Sequence, residues 1–245
     1  MKTLGVIPAR YSSTRLPGKP LKKLNDKTLI QQVYENVLHC ELIDKLVVAT
    51  DDNRIQNTVN DFGGESLMTD PSHSSGTDRV AEVAEQFDYD YIANIQGDEP
   101  FILPEDIDRV IKNMYDNDTA MGSLGMTNIN LEDYKDPNVV KVITDTNDCA
   151  IYFSRRQIPY MMNKDNLSAE DIPALKHIGL YVYQKQFLLK FNSMPVSNLE
   201  ETEGLEQLRA LEAGYKIHIT KTEHDSPGID TPEDLEKARR RIQKS

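Results

Sequence analysis

Over the first 118 residues the sequence alternates four times between a short apolar run and a longer segment whose apolar residues recur at helical spacing. The runs are Thr3–Pro8, Lys45–Thr50, Glu65–Thr69 and Tyr91–Ile95. Between and after them, Leu29, Ile30, Val33, Val37 and Leu38 mark one helix, and Ile55, Val59 and Phe62 a second. Val80, Val83, Ala84 and Phe87 mark a third, and Ile107, Val110, Ile111 and Met114 a fourth. Strands that read as continuous apolar runs are buried on both faces, and a helix between each pair supplies the crossover that parallel strands require. The expectation is an α/β fold with a Rossmann-like sheet covered by helices.

Beyond residue 118 the rhythm changes. Ala120–Met126, Val139–Thr144, Ala150–Ser154 and Ile178–Tyr183 read as strands without long helices between them, so an inserted, more antiparallel region is expected at about 120–185. The stretch from Tyr160 to Lys176 is polar and aperiodic and reads as a loop or lid. Helix returns at Leu205–Ala213, a strand follows at Lys216–Thr220, and Thr231-Pro-Glu-Asp234 opens a last helix with an N-cap residue, a proline at the first helical position and two acids in the first turn. The 245 residues are thus read as a single domain, 1–245, with one inserted region.

Composition narrows the function. With 28 basic against 40 acidic residues the net charge is −12, which argues against a nucleic-acid partner. No apolar stretch reaches the ~18 residues of a membrane span, and the opening run stops too early for a signal-peptide core, so a cytoplasmic protein is expected. Two cysteines, Cys40 and Cys149, exclude a disulfide framework and read as buried thiols. Against this acidic background residues 1–25 hold Lys2, Arg10, Arg15, Lys19, Lys22 and Lys23 and no acid. That segment is either a local anion site or a solvated basic loop.

The glycine-rich dinucleotide fingerprint is absent, and Gly18-Lys19 is followed by Pro20, which excludes a Walker phosphate loop. The loop from Pro8 to Pro20 instead places Arg10, Arg15 and Lys19, three hydroxyls and backbone amides just beyond the carboxyl end of the first strand, where open α/β sheets bind ligands. Several cations on one short loop suit a polyphosphate. Asn94-Ile-Gln-Gly-Asp98 puts an acid at the end of another apolar strand, and Asp230 precedes the last helix. Each acid is a magnesium ligand or a turn carboxylate, and the cationic loop favours the first reading for the two together.

These residues resemble a known family. Ile7-Pro-Ala-Arg-Tyr-Ser-Ser-Thr-Arg-Leu-Pro-Gly-Lys-Pro-Leu21, Ala49-Thr-Asp51, Ser75-Gly-Thr-Asp-Arg79, Asn94-Ile-Gln-Gly-Asp-Glu-Pro100, Tyr152-Phe-Ser-Arg155, His177-Ile-Gly-Leu-Tyr181, Leu205-Glu-Gln-Leu-Arg209 and Gly228-Ile-Asp-Thr-Pro-Glu-Asp-Leu235 are similar, in order and over nearly the whole chain, to the 3-deoxy-manno-octulosonate (Kdo) cytidylyltransferases. The resemblance implies a nucleotide-diphospho-sugar transferase fold and a magnesium-dependent reaction of CTP with an acidic 3-deoxy sugar, giving CMP-Kdo and pyrophosphate for lipopolysaccharide or capsule synthesis. It implies that Arg10, Ser13 and Lys19, assisted by Arg15, hold the CTP phosphates, and that Ser74, Ser75, Gly76, Arg79 and Gln96 frame the cytidine. Asp98 and Asp230 would ligate Mg2+, with Lys19, Arg10 and both acids as the catalytic set. Arg155, His177, Tyr181, Glu206 and Gln207 would face the sugar acid. Read from the residues alone, His177 also suits a core histidine, Tyr181 a packing residue, and Glu206 with Arg209 a solvated pair on one helix. A homodimer built through the inserted region is expected. Competing readings are a cytidylyltransferase for sialic acid or 8-amino-Kdo, and a non-catalytic nucleotide sensor on the same fold.

Overall fold

The computed structural model describes residues 1–12, 15–117, 119–162 and 168–243. In chain order these form β1 (Thr3–Ala9), β2 (Lys23–Leu24), β3 (Lys27–Thr28), α1 (Leu29–Val37), β4 (Lys45–Thr50), α2 (Asn53–Asp61), β5 (Ser66–Met68), α3 (Gly76–Glu85), β6 (Tyr91–Asn94) and α4 (Pro104–Asn117). There follow β7 (Met121–Met126), α5 (Leu131–Lys135), β8 (Lys141–Thr144), β9 (Ala150–Ser154), β10 (Leu175–Gln184), α6 (Lys185–Asn192), α7 (Asn198–Glu203), α8 (Gln207–Glu212), β11 (Ile217–Thr222) and α9 (Pro232–Ile242). The chain divides into two compact units, 1–108 with 225–245, and 109–224.

In the first unit the strands run β6-β1-β4-β5, all parallel, with Leu4 opposite Lys45 and Thr3 opposite Tyr91. Leu4, Val6 and Ile7 of β1 have no exposed surface, as its continuous apolar run requires, and each contributes about 1.5–3 kcal/mol through burial. Helix α1 buries Leu29, Ile30, Val33, Tyr34 and Val37 on one face and starts at Thr28, whose hydroxyl accepts from the Gln31 amide. Because the strands are parallel, the segments leaving β1, β4, β5 and β6 all emerge at one edge of the sheet. The closing helix α9 starts as its sequence predicts: Thr231 caps it, Pro232 opens it, and Asp234 completes a capping box.

The second unit carries the more antiparallel pairing. Strand β10 is antiparallel to both β7 and β8, β8 is antiparallel to β9, and only β11 lies parallel to β7. This unit extends beyond the 120–185 expected for the inserted region and includes α6 and α7, two short helices that were not anticipated. Between Ile178 and Tyr181 the register of β10 against β7 shifts, so Ile178 faces Leu124 while Tyr181 faces Ser123. Part of the Tyr160–Lys176 stretch lies outside the described residues; within it, Ser168 caps a 3-10 turn at Ala169–Asp171, and Leu175 and Lys176 already belong to β10. Cys149 is buried, whereas Cys40 is only partly so.

Candidate active site

The first unit holds a cavity of about 380 Å3 at the edge where its parallel strands end. Arg10, Arg15 and Lys19 line it from the loop after β1, Ser75, Gly76 and Arg79 from α3, Gln96 and Asp98 from the segment after β6, and Asp230 from the residue before the α9 cap. Every nucleotide-side residue read from the sequence is therefore gathered here except two. Ser13 lies outside the described residues, and Ser74 does not line the cavity; its hydroxyl donates to Asp78 at 2.9 Å.

The loop after β1 turns back at Gly18, whose φ of 66° suits glycine, and its amide donates to the Tyr11 carbonyl at 3.1 Å. This turn delivers Lys19 to the acids. Its ammonium donates to Asp98 Oδ2 at 2.5 Å and to Asp230 Oδ1 at 3.0 Å, while Arg15 reaches Asp230 Oδ2 at 2.9 Å. Burial pulls the Lys19 pKa down, but the two carboxylates push it up further and leave it above the ordinary lysine value, so the group is charged at neutral pH. The two acid-bearing segments are also joined through the main chain, since the Ile229 amide donates to the Asp98 carbonyl at 2.9 Å. Gly97 permits a further close approach: a Cβ there would sit 3.2 Å from the Pro8 carbonyl oxygen.

Arg79 is almost fully buried and donates to Asp51 Oδ2 at 2.9 Å and to the Thr69 hydroxyl. It thus ties the ends of β4 and β5 to α3 while lining the cavity. Asp51 and Thr69 were not among the sequence candidates; the signal for Asp51 was its place at the end of a buried strand. Ser75 caps α3, accepting from the Asp78 amide, and presents a helix N-terminus to the cavity.

Two carboxylates that share one ammonium can share a hard divalent cation, so the donor set fits magnesium. Among the described residues no group of three His, Cys, Asp or Glu side chains could hold a metal. A cation at Asp98 and Asp230 would therefore take its remaining oxygens from water or phosphate, as magnesium commonly does.

The sugar-side candidates all lie in the second unit. His177 Nε2 is 3.0 Å from the Ser123 hydroxyl, and its ring lies between Phe153 and Tyr181, with centroids 5.1 and 5.5 Å away. Ser123 donates its single proton to the Leu180 carbonyl at 2.8 Å, so His177 Nε2 is the donor to Ser123 and the ring is the Nε2–H tautomer. Burial lowers the His177 pKa to about 4, and the ring is neutral at physiological pH. The register shift in β10 is what brings His177 and Tyr181 into contact.

Arg155 is tied to the main chain around it. Its guanidinium donates to the main-chain carbonyls of Glu203 at 2.8 Å and of Pro137 and Gly204 at 3.3 Å. Gly204 is the left-handed C-cap of α7. Arg209 holds Glu200 through two bonds of 2.6 Å and so joins α8 to α7. Glu206 stands at the N-cap of α8, and Gln207 is buried with no partner for its Nε2 among the described residues.

A parallel-sheet nucleotide cleft with a cationic loop and two acids marks the nucleotidyltransferase class, and comparison with known proteins narrows it. Residues 4–217 match the family model described as Cytidylyltransferase. The 3-deoxy-manno-octulosonate cytidylyltransferase of Trichlorobacter lovleyi is 46% identical over 249 residues, covering 99% of each chain, and that of Fusobacterium nucleatum is 50% identical over 238 residues, covering 96% of this chain and 95% of its own. The structure of CMP:2-keto-3-deoxy-manno-octonic acid synthetase complexed with CTP superposes with a TM-score of 0.93 at 40% identity, covering 100% of this chain and 99% of the other. The 4-diphosphocytidyl-2C-methyl-D-erythritol synthase of Anaerococcus prevotii, at 14% identity and a TM-score of 0.64 over 99% of both chains, shares the fold. The chain belongs to the 3-deoxy-manno-octulosonate cytidylyltransferase family and has the nucleotide-diphospho-sugar transferase fold.

Proposed function

We propose that this chain transfers a cytidine 5′-monophosphate group from CTP to the anomeric hydroxyl of 3-deoxy-D-manno-octulosonate, with release of pyrophosphate. The observation that carries this reading is the convergence of Arg10, Arg15, Lys19, Asp98 and Asp230 on one cavity in a chain of this family. Arg10, Lys19 and Arg15, with Ser13, bind the triphosphate. Ser75, Gly76, Arg79 and Gln96 frame the cytidine, and Ser74, outside the cavity wall, steadies Asp78 beside them. Arg155, His177, Tyr181, Glu206 and Gln207 bind the sugar acid, and the unpartnered Nε2 of buried Gln207 supports a ligand on that side.

Little covalent chemistry falls to the protein. The sugar hydroxyl attacks the α-phosphorus, the bond to pyrophosphate breaks, and the cations fix the triphosphate and neutralise the charge that develops on it. Asp98 and Asp230 hold the magnesium ion, which when bound supplies further charge neutralisation on the phosphates. Arg155, bound to three carbonyls, acts as a rigid support for the loop between α7 and α8 as much as a free cation. His177, neutral and donating through Nε2 to Ser123, keeps Nδ1 as an acceptor for a hydroxyl.

No described helix is long and apolar enough to cross a membrane, which accords with a cytoplasmic enzyme feeding lipopolysaccharide or capsule synthesis. The exposed Ile151, Tyr160 and Met162 of the second unit support a homodimer built through that unit, and light scattering at micromolar concentration should give twice the chain mass. The deciding experiment measures pyrophosphate release from each of the four ribonucleoside triphosphates with Kdo, 8-amino-Kdo or sialic acid. CTP with Kdo should be preferred; equal turnover with ATP would refute the nucleotide assignment, and preference for another acid would change the acceptor.

A further inference from the structure

Successive acids at the end of β4 face two different arginines. Asp51 holds Arg79 in the cavity wall, whereas Asp52 caps α2 and grips Arg54, accepting from its Nε at 2.9 Å and from a terminal nitrogen at 2.6 Å. The Arg54 guanidinium lies over the ring of Tyr11, its central carbon 3.2 Å from the centroid. Tyr11 in turn bears on Gly18: a Cβ at Gly18 would stand 3.1 Å from the tyrosine ring, and the Gly18 amide donates to the Tyr11 carbonyl. The line Asp52, Arg54, Tyr11, Gly18 thus runs from the rigid sheet edge to the turn that presents Lys19. Neither Arg54 nor Tyr11 lines the cavity, and Arg54 is exposed, so the stack is not part of a core.

We propose that Arg54 is a positioning residue for the phosphate-binding loop: clamped by Asp52, its guanidinium holds Tyr11 against Gly18 and fixes the backbone from which Arg10, Arg15 and Lys19 reach the triphosphate. This rests on the CTP reading and adds to it a residue outside every motif that suggested it. A planar cation held at two points is needed, because only a flat guanidinium both pairs bidentately with a carboxylate and stacks on an aromatic face. A loop displaced by a fraction of an ångström weakens several phosphate contacts together.

The test compares the full-length wild-type chain with Arg54→Ala, Arg54→Lys, Tyr11→Leu, Tyr11→Phe and the Arg54→Ala/Tyr11→Leu double variant. Arg54→Ala and Tyr11→Leu should each raise KM for CTP about tenfold while KM for the sugar acid stays within about twofold. Tyr11→Phe, which keeps the ring, should restore wild-type values, Arg54→Lys should not, and the double variant should be no worse than either single one. Amide hydrogen exchange across residues 15–19 in the ligand-free protein should quicken in Arg54→Ala and Tyr11→Leu. A wild-type enzyme that turns over CTP together with an unchanged KM in Arg54→Ala overturns this role, as do equal rises in both KM values. If the wild type does not use CTP, the functional assignment fails, and unchanged exchange at Gly18 then separately overturns the stack.

Discussion

The carboxylate of Asp230 accepts from the Lys19 ammonium at 3.0 Å across 211 positions of sequence. Asp98 accepts from the same ammonium at 2.5 Å, so the free protein holds its two metal-ligand candidates together with a cation of its own. If the two acids hold the metal, binding of metal and triphosphate would be an exchange of partners, in which the carboxylates would turn from Lys19 to the metal and Lys19 to phosphate.

Asp98 and Asp230 should therefore act as a unit. Asp98→Asn and Asp230→Asn should each lower kcat by about 10²-fold or more, and the double variant should lose far less than the product of the two. Each substitution should also raise the magnesium concentration needed for half-maximal rate. A double loss equal to the product, with unaltered magnesium dependence, would reassign one acid to a turn.

Lys19→Met should reduce kcat/KM for CTP by about 10²-fold, the scale of losing one charge contact to the transition state. A second readout needs no turnover. Without the ammonium, Asp98 and Asp230 repel each other while Arg15 still pairs with Asp230, so the ligand-free variant should melt below wild type, and millimolar magnesium should recover part of the difference. Magnesium that shifts wild type and variant equally would contradict the exchange.

His177 gives a pH dependence with a defined sign. Its folded pKa of about 4 lies below the ordinary histidine value, so between pH 6.5 and 4 the unfolded chain binds the extra proton. Stability must fall as pH drops through that window, by about 3 kcal/mol at most. A His177→Gln variant should lose this part of the acid sensitivity; melting temperatures of both proteins from pH 7.5 to 4 check it, and parallel curves would argue against the neutral ring.

Lys141 is fully buried and donates to the carbonyls of Val139 and Arg155 at 2.6 Å and of Asp136 at 2.9 Å. Lys141→Met keeps the packing volume but strands three acceptors, and should cost about 2–4 kcal/mol in denaturant unfolding. A cost below about 1 kcal/mol would mean that water replaces the ammonium.

The first unit was legible in the sequence because its strands are buried on both faces and its helices on one, so each element carries its own period. The loop cations, Asp98 and Asp230 were legible because they sit at strand and helix ends, where the parallel sheet gathers them without any long-range information. In the second unit the signal weakens. Helices α6 and α7 span eight and six residues, too short for an apolar period to show. The carbonyl partners of Arg155 and Lys141, the Arg54–Tyr11 stack and the shift in β10 that joins His177 to Tyr181 depend on chain paths that no local pattern encodes.

The main-chain bond from Ile229 to Asp98 has a consequence for the order of synthesis. A ribosome makes the cationic loop first and Asp98 soon after, then the whole of the second unit, and only then the segment with Asp230. A nascent chain with 224 residues emerged holds Lys19 and one carboxylate. The cationic loop is complete early, while the pair of acids that would draw in a metal closes only when the returning segment docks on the end of β6, so a metal held by both acids would have to await the whole of the first unit.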